Sequence, residues 1–270
     1  MRFALHVPNF AEPDELVALG VEAEGSGWDG VFLWDHVFGS LALPVPMADP
    51  WVVLGALAVR TSTVRLGTAV TPAARRRPQK VARETVTVDR LSGGRMVLGV
   101  GLGNPPEEYT AFGEPADPAT VAARLDEALE VVTGLWSGEP FDHDGTAYTV
   151  HGARFLPTPV QRPRIPVWTA AVVPHEAPLR RAARWDGVVL AALNDTGGID
   201  PVTPDRLRAA LAEIGVVRGS LEGFAAAVVT AGLPPAADLA AYEELGATWV
   251  LATGWMEQVH ELAGERPPGS

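Results

Sequence analysis

The chain has 270 residues, 47% of them hydrophobic, and it carries a formal net charge of −12 at pH 7. This acidic balance argues against nucleic acid or an anionic membrane as the main partner, and the absence of cysteine excludes thiol nucleophiles, disulfides, iron–sulfur clusters and thiolate zinc sites. The length and the hydrophobic content suit one large domain or two small ones. We expect a cytoplasmic protein, because the first residues lack a signal-peptide core and no apolar run approaches a membrane span.

Short β-branched runs alternate with helical patterns from one end of the chain to the other. Several helices begin with a capping residue followed by proline, as at Asp49-Pro50, Asp117-Pro118 and Thr203-Pro204. In chain order, the pattern predicts strands over 2–7, 29–34, 64–70, 95–100, 166–171, 186–192, 223–231 and 248–253, each followed by a helix.

Eight strand–helix cycles predict an α/β fold, namely a (β/α)₈ TIM barrel. The stretch from 137 to 166 is too rich in proline for a helix, so we expect an irregular insertion before the fifth strand. Neither a linker nor a shift in composition divides the chain, so we expect one barrel domain over 1–270. A doubly wound open sheet is the rival fold, but it normally needs fewer strands at this length.

Three glycines, Gly99, Gly101 and Gly103, follow the fourth predicted strand in the stretch "MVLGVGLGNPPEEY". The dinucleotide fingerprint requires another glycine three residues after its second one, where this chain has Asn104 or Pro106. Two prolines also cannot supply the row of backbone donors that holds a pyrophosphate. The stretch is therefore not a simple Rossmann loop.

In a (β/α)₈ barrel, chemistry takes place at the C-terminal ends of the strands. The residues there include no trio of histidines and acids at metal-ligand spacing, and no serine or cysteine beside a base. Small residues with threonine, asparagine and few histidines suit a flat bound cofactor. The strand-end candidates are His6, Asn9, Asp35, His36, Val70, Thr71, Gly103, Asn104, Thr169, Ala170, Asn194, Thr253 and Gly254.

Four segments, 25–39, 71–113, 157–171 and 180–190, resemble segments of the luciferase-like monooxygenases in the same order. The second is the most specific, through Arg77-Pro78, Asp89 and Gly94-Arg95 together with its "LGVG" strand. The resemblance implies a (β/α)₈ oxidoreductase, often a homodimer, that binds reduced FMN or the deazaflavin coenzyme F-420. Reduced FMN implies a monooxygenase and the deazaflavin implies hydride transfer; the sequence does not separate them.

The resemblance also implies roles for individual residues. His36 matches a catalytic proton donor or acceptor, with Asp35 positioned to orient its ring. A bulge or non-prolyl cis peptide is expected near Ala69, and glycines of the fourth strand are expected to leave room for the cofactor ring. The implied cofactor-binding residues are His6, Ala69, Val70, Thr71, Gly101, Gly103, Asn104, Thr169, Ala170 and Ala171.

Two departures from the family pattern bear on activity. Asn104 matches a position at which deazaflavin-dependent sugar-phosphate dehydrogenases have a carboxylate that resembles a general acid. An amide cannot transfer protons in that way, so that activity is not expected. Ala170, Ala171 and Val172 stand where the family has a Gly-Gly-Ser phosphate-binding turn. A non-catalytic barrel that binds a flavin or another flat ligand is therefore the alternative, and a barrel lyase or isomerase is a third. The identity of the small organic substrate is set by loops such as 138–166.

Overall fold

The computed structural model describes residues 1–38, 45–194 and 199–269. Within those ranges the strands, in chain order, are β1 (Arg2–Val7), β2 (Gly30–Leu33), β3 (Arg65–Thr68), β4 (Thr71–Pro72), β5 (Met96–Gly101), β6 (Phe141–Asp144), β7 (Thr149–Ala153), β8 (Val167–Val172), β9 (Gly187–Leu193), β10 (Ile199–Asp200), β11 (Ala225–Ala231) and β12 (Trp249–Thr253). The helices are α1 (Pro13–Ser26), α2 (Pro50–Arg60), α3 (Pro78–Leu91), α4 (Glu107–Thr110), α5 (Pro118–Trp136), α6 (Glu176–Ala182), α7 (Pro204–Arg218), α8 (Ala236–Glu244) and α9 (Met256–Gly264), with a 3₁₀ turn at Ala73–Arg75.

Eight parallel strands close into a barrel in the order β1, β2, β3, β5, β8, β9, β11, β12 and back to β1. Closure is made by the first and last strands, where Phe3 pairs with Val250. The predicted (β/α)₈ fold is confirmed, and each of the eight predicted strands overlaps a barrel strand.

The predicted helix starts are confirmed at the atomic level. The Asp49 side chain accepts hydrogen bonds from the backbone N–H groups of Trp51 and Val52, and Asp117 accepts one from Thr120. These caps satisfy N–H groups that have no partner within the helix. Helix α6 is shorter than expected and ends at Ala182, before Trp185.

The barrel interior is filled below its C-terminal opening, which we call the mouth. Phe32 stacks on Trp168 with ring centroids 5.3 Å apart, and Trp249 meets Trp168 at 5.6 Å. A Cβ on Gly67 would lie 2.8 Å from the Phe32 ring and one on Gly187 would lie 2.6 Å from the Trp168 ring, so glycine is needed where these rings pass. These rings fill the barrel interior below the mouth.

The insertion before the fifth barrel strand differs from the expectation of an irregular stretch. Strands β6 and β7 form an antiparallel hairpin, in which the Asp144-Gly145 turn brings the N–H of Gly145 to the carbonyl of Tyr148. Glu127 of α5 also accepts hydrogen bonds from the backbone of Ala147 and Tyr148. In the described part of the chain, no helix combines the length and the apolar character needed to cross a membrane.

Candidate functional site at the barrel mouth

The top layer of the barrel interior has two different walls. Along each strand, side chains alternate between the interior and the helix layer. On one side, this alternation brings Gly101, Ala170, Val172, Ala191 and Ala231 to the inner face at the strand ends. On the other side lie His6 and Trp34, with ring centroids 5.6 Å apart. The mouth therefore has small aliphatic side chains and glycine on one side and aromatic rings on the other.

His36 is held on this second side by contacts to both its backbone and its ring. The buried Asn9 side chain donates to the His36 carbonyl oxygen at 2.9 Å and accepts from the His36 N–H at 3.2 Å. The ring packs against Phe10 and Trp34, with centroids 5.2 Å and 5.6 Å away. Its Nδ1 atom meets Glu108, whereas Nε2 has no hydrogen-bond partner among the described residues. One ring nitrogen is thus fixed and the other is available to a ligand.

Glu108, which the sequence reasoning did not single out, is the buried partner of that imidazole. Its Oε1 lies 3.1 Å from Nδ1 of His36 and accepts the N–H of Val37 at 2.9 Å, while Oε2 forms an ion pair with Arg75. Burial by itself raises the pKa of Glu108, but the hydrogen bond with His36 and the charges of His36 and Arg75 hold that pKa below its usual value. Glu108 therefore stays a carboxylate facing His36.

Asp35 does not form the expected pair with the His36 ring. Its carboxylate accepts two hydrogen bonds from Arg76, at 2.6 and 2.8 Å, and one from the Thr71 hydroxyl at 2.7 Å. Trp51 Nε1 donates to the same carboxylate at 3.3 Å. The expectation that Asp35 orients His36 is wrong, because both oxygens of the Asp35 carboxylate bind Arg76 in the segment after β3. Asp35 instead holds that segment in place through Arg76 and Thr71.

His6 is buried at the end of β1, and its ring nitrogens differ. Nε2 donates to the carbonyl oxygen of Ala69, so the neutral ring carries its lone pair on Nδ1. Burial lowers the pKa of His6 to about 4, against the hydrogen bond to Ala69, which raises it. Within the described part of the chain, Nδ1 has no hydrogen-bond partner, and neither does Nε1 of the neighbouring Trp34.

The peptide between Ala69 and Val70 is cis, as the resemblance implied. The glycines at the end of β5 and just after it lie against this segment and the residues that follow it, so the space beside them is already filled. A Cβ on Gly99 would lie 1.9 Å from the Thr68 carbonyl oxygen, and one on Gly101 would lie 2.6 Å from the Val70 side chain. Gly103 has a φ of +86°, and a Cβ there would lie 2.8 Å from Pro72. The expectation that these three side-chain positions are left for a ring is wrong; contact between their backbone and a cofactor stays a prediction.

Ala170, Ala171 and Val172, which stand where the family has its Gly-Gly-Ser phosphate-binding turn, do not form a turn. They lie within β8 and pair with Val189, Leu190 and Ala191 of β9, in agreement with the strand predicted over 166–171. Strand alternation brings Ala170 to the mouth but turns Ala171 toward the helix layer, where it joins the main core.

Thr169 shares the face of Ala171 on β8, so its side chain is turned away from the mouth, and its buried hydroxyl has no hydrogen-bond partner among the described residues. Asn104 is exposed beside a cis peptide to Pro105, and its contact with a cofactor stays a prediction. Among the strand-end residues, hydrogen bonds join His6 to Ala69 and to Thr253, and Asn9 to His36.

The residues at the mouth fit a flat heteroaromatic cofactor. His6 Nδ1 supplies an acceptor and Trp34 Nε1 a donor, both buried and without a hydrogen-bond partner in residues 1–38, 45–194 and 199–269, and buried polar atoms normally have one. Ring heteroatoms of a ligand would satisfy them. Among the described residues, no group of three or more His, Cys, Asp or Glu side chains is arranged to hold a metal ion.

The sequence matches the luciferase-like monooxygenase family over residues 1–267. A protein of Microbacterium testaceum (strain StLB037) named F420-dependent glucose-6-phosphate dehydrogenase is 36% identical over 192 residues, which cover 70% of this chain and 54% of that protein. The chain spans about half the length of the curated relatives it matches.

Two solved structures are similar over nearly the whole chain. The coenzyme F420-dependent tetrahydromethanopterin reductase of Methanopyrus kandleri has a TM-score of 0.79 at 18% identity, covering 98% of this chain and 97% of that one. The oxygenating constituent of 3,6-diketocamphane monooxygenase of Pseudomonas putida, in complex with FMN, has a TM-score of 0.75 at 12% identity, covering 100% and 99%. At these identities the likeness shows a shared fold.

Proposed function

Because the chain belongs to the luciferase-like monooxygenase family, we propose that it is a flavin- or deazaflavin-dependent oxidoreductase acting on a small organic substrate. The observation that carries the proposal is His36, whose backbone and Nδ1 are held by Asn9 and Glu108, whereas Nε2 has no hydrogen-bond partner among the described residues. An imidazole held in this way can donate or accept one proton through its second nitrogen without changing its orientation.

Of the two cofactors, we favour the deazaflavin coenzyme F-420. The names of a 36%-identical relative and of a solved structure with the same fold both refer to this coenzyme. When bound, the reduced deazaflavin supplies a hydride. The chain itself contributes His6 and Trp34 as polar partners for the ring, the cis segment at Ala69-Val70 as support, and His36 for the proton. FMN with oxygen is the second candidate, favoured by the family's description and by a structural neighbour that contains FMN.

The test is a titration of the protein with FMN and with coenzyme F-420, in oxidised and reduced forms, followed by fluorescence and calorimetry. We expect micromolar binding of the deazaflavin and weaker binding of FMN. Preferred binding of FMN would replace hydride transfer by oxygen chemistry. Binding of neither would contradict the proposal and favour a barrel with another ligand.

Substitution of His36 then separates an enzyme from a binding protein. We expect His36→Ala to lower turnover by about 10²- to 10⁴-fold, the usual contribution of a positioned acid or base, with little change in cofactor affinity. His151→Ala, at an exposed histidine of the hairpin, is the matched control and should leave turnover unchanged. A non-catalytic protein would show no turnover in any of the three forms.

We also propose that the protein is a homodimer, as the resemblance implies. The cysteine-free composition supports the proposal that it is cytoplasmic. Helix α2 supports the dimer, because Val52 and Val59 are 72% and 62% exposed. Half-buried Gly55 and Ala56 lie between them on the same face, which gives an apolar stripe at helical spacing. A second copy of this stripe would cover it.

A further inference from the structure

A continuous wall of rings leads from His36 to the edge of the mouth. Phe10 stands at its centre, with ring centroids 5.2 Å from His36, 5.7 Å from Trp34 and 6.3 Å from Trp255. The planes of Phe10 and Trp255 are inclined by 30° to each other, whereas Phe10 meets Trp34 edge-on at 84°. We call Phe10, Trp34, His36 and Trp255 the aromatic wall.

Trp255 is the outer end of the aromatic wall and is largely in solvent. Its side chain is 69% exposed, although its backbone N–H donates to the Gln258 side chain at the start of helix α9. Core packing does not account for so exposed a tryptophan, and a large exposed ring beside a site is typical of a ligand-binding surface. A planar apolar molecule lying on Phe10 and Trp255 would have its polar end beside His36.

The charges at the mouth bear on which ligands this wall can take. Eight loops lead from a barrel strand to the long helix that follows it. In these loops lysine or arginine occurs at three positions in total, and all three are in the loop after β3: Arg75, Arg76 and Arg77. Phosphate groups on ligands are usually bound by such side chains, or by backbone N–H groups at helix starts. The loops of the mouth therefore offer three cationic side chains to any phosphate, whether it belongs to the cofactor or to a substrate.

Two of the three arginines are already paired with buried carboxylates. Arg75 forms an ion pair with Glu108, and Arg76 forms one with Asp35 at 2.6 Å. Arg77 is exposed at the start of α3, close enough to the hairpin for its charge to act on Tyr148. The cations near His36 thus serve the protein's own carboxylates.

We propose that the aromatic wall binds an uncharged, planar, apolar carbonyl compound or its alcohol, and that a sugar phosphate is not the substrate. The proposal rests on the proposed oxidoreductase function and names its substrate class. The rings of Phe10 and Trp255 provide the apolar platform, and Nε2 of His36 faces the oxygen of the ligand.

The test uses the protein loaded with coenzyme F-420 and two probes, 2-acetylnaphthalene and glucose 6-phosphate. Binding is measured by calorimetry and by saturation-transfer NMR, so the readout does not depend on turnover. We expect binding of the ketone and no binding of the sugar phosphate. We expect Trp255→Ala to weaken ketone binding at least about tenfold through loss of the stacked ring, with cofactor affinity unchanged. Val216→Ala, at an exposed residue of α7, is the control and should change neither affinity.

Two results would overturn the proposal while leaving the oxidoreductase function in place. One is binding of glucose 6-phosphate in preference to the ketone by the cofactor-loaded protein. The other is ketone binding that Trp255→Ala leaves unchanged. Failure of the protein to bind either cofactor is a different outcome, since it would remove the proposed function and the substrate proposal with it.

Discussion

At the scale of single residues, the mouth depends on carboxylates buried with their partners. Glu108 faces His36 on one side and Arg75 on the other, and its neighbour Glu107 is exposed on the same short helix. We expect Glu108→Gln to lower kcat on the order of tenfold, with a small change in KM, because the ring of His36 loses its charged partner. Glu107→Gln is the matched control and should leave both constants unchanged.

Full truncation of the same side chain tests its contribution to stability. Glu108→Ala leaves Arg75 as a buried charge without this partner, and we expect the free energy of unfolding to fall by about 3 kcal/mol. Urea unfolding followed by circular dichroism measures the change. If Glu108→Gln keeps the wild-type kcat, Glu108 is structural and does not position His36.

His6 predicts a pH dependence of stability. The unfolded chain takes up a proton at this histidine near pH 6.5, whereas burial lowers the pKa in the folded protein to about 4. Between these values the unfolded state binds more protons, so the free energy of unfolding decreases as the pH falls from 6.5 to 4, by about 3 kcal/mol in total. Urea unfolding at several pH values should show this slope, and it should be shallower in His6→Gln but not in the exposed-site control His151→Gln.

At the scale of elements, strands β3 and β5 lie so close together that there is no space for a side chain at Gly99. The Thr68 hydroxyl donates to the Gly99 carbonyl oxygen at 2.8 Å, and a Cβ on Gly99 would lie 1.9 Å from the Thr68 carbonyl oxygen. We expect Gly99→Ala to lower the free energy of unfolding by roughly 3 kcal/mol, because backbone atoms must move. Gly215→Ala in α7, where a Cβ meets nothing within 4 Å, should raise it by about 0.5–1 kcal/mol. Equal effects in the two variants would contradict this explanation.

At the scale of the whole molecule, the exposed stripe on α2 predicts the oligomeric state. Sedimentation velocity of the wild type should give twice the 28.5 kDa mass of one chain. Val52→Glu and Val59→Glu each place a charge in the proposed interface and should yield monomers. Val216→Glu, at a residue of α7 that is 83% exposed, should leave the dimer intact. A wild type that sediments as a monomer at micromolar concentration would refute the dimer.

Much of the architecture and part of the site were predicted from local patterns. The eight barrel strands, the capped helix starts at Asp49, Asp117 and Thr203, and the cis segment at Ala69-Val70 agree with the structure. These features depend on hydrophobic period, capping chemistry and a resemblance carried by contiguous segments. The hairpin was missed because its two strands are short, alternate weakly and lie among prolines.

The sequence by itself determined the eight barrel strands, the capped helix starts and the place of His36 after the second strand, because neighbouring residues encode these properties. Only the tertiary structure decided which side chains meet. Glu108 reaches His36 across 72 positions and Arg76 takes Asp35 across 41, while strand alternation turns Ala171 away from the mouth. Such pairings depend on barrel closure and strand register, which bring distant loops together and are not written in any local stretch of the chain.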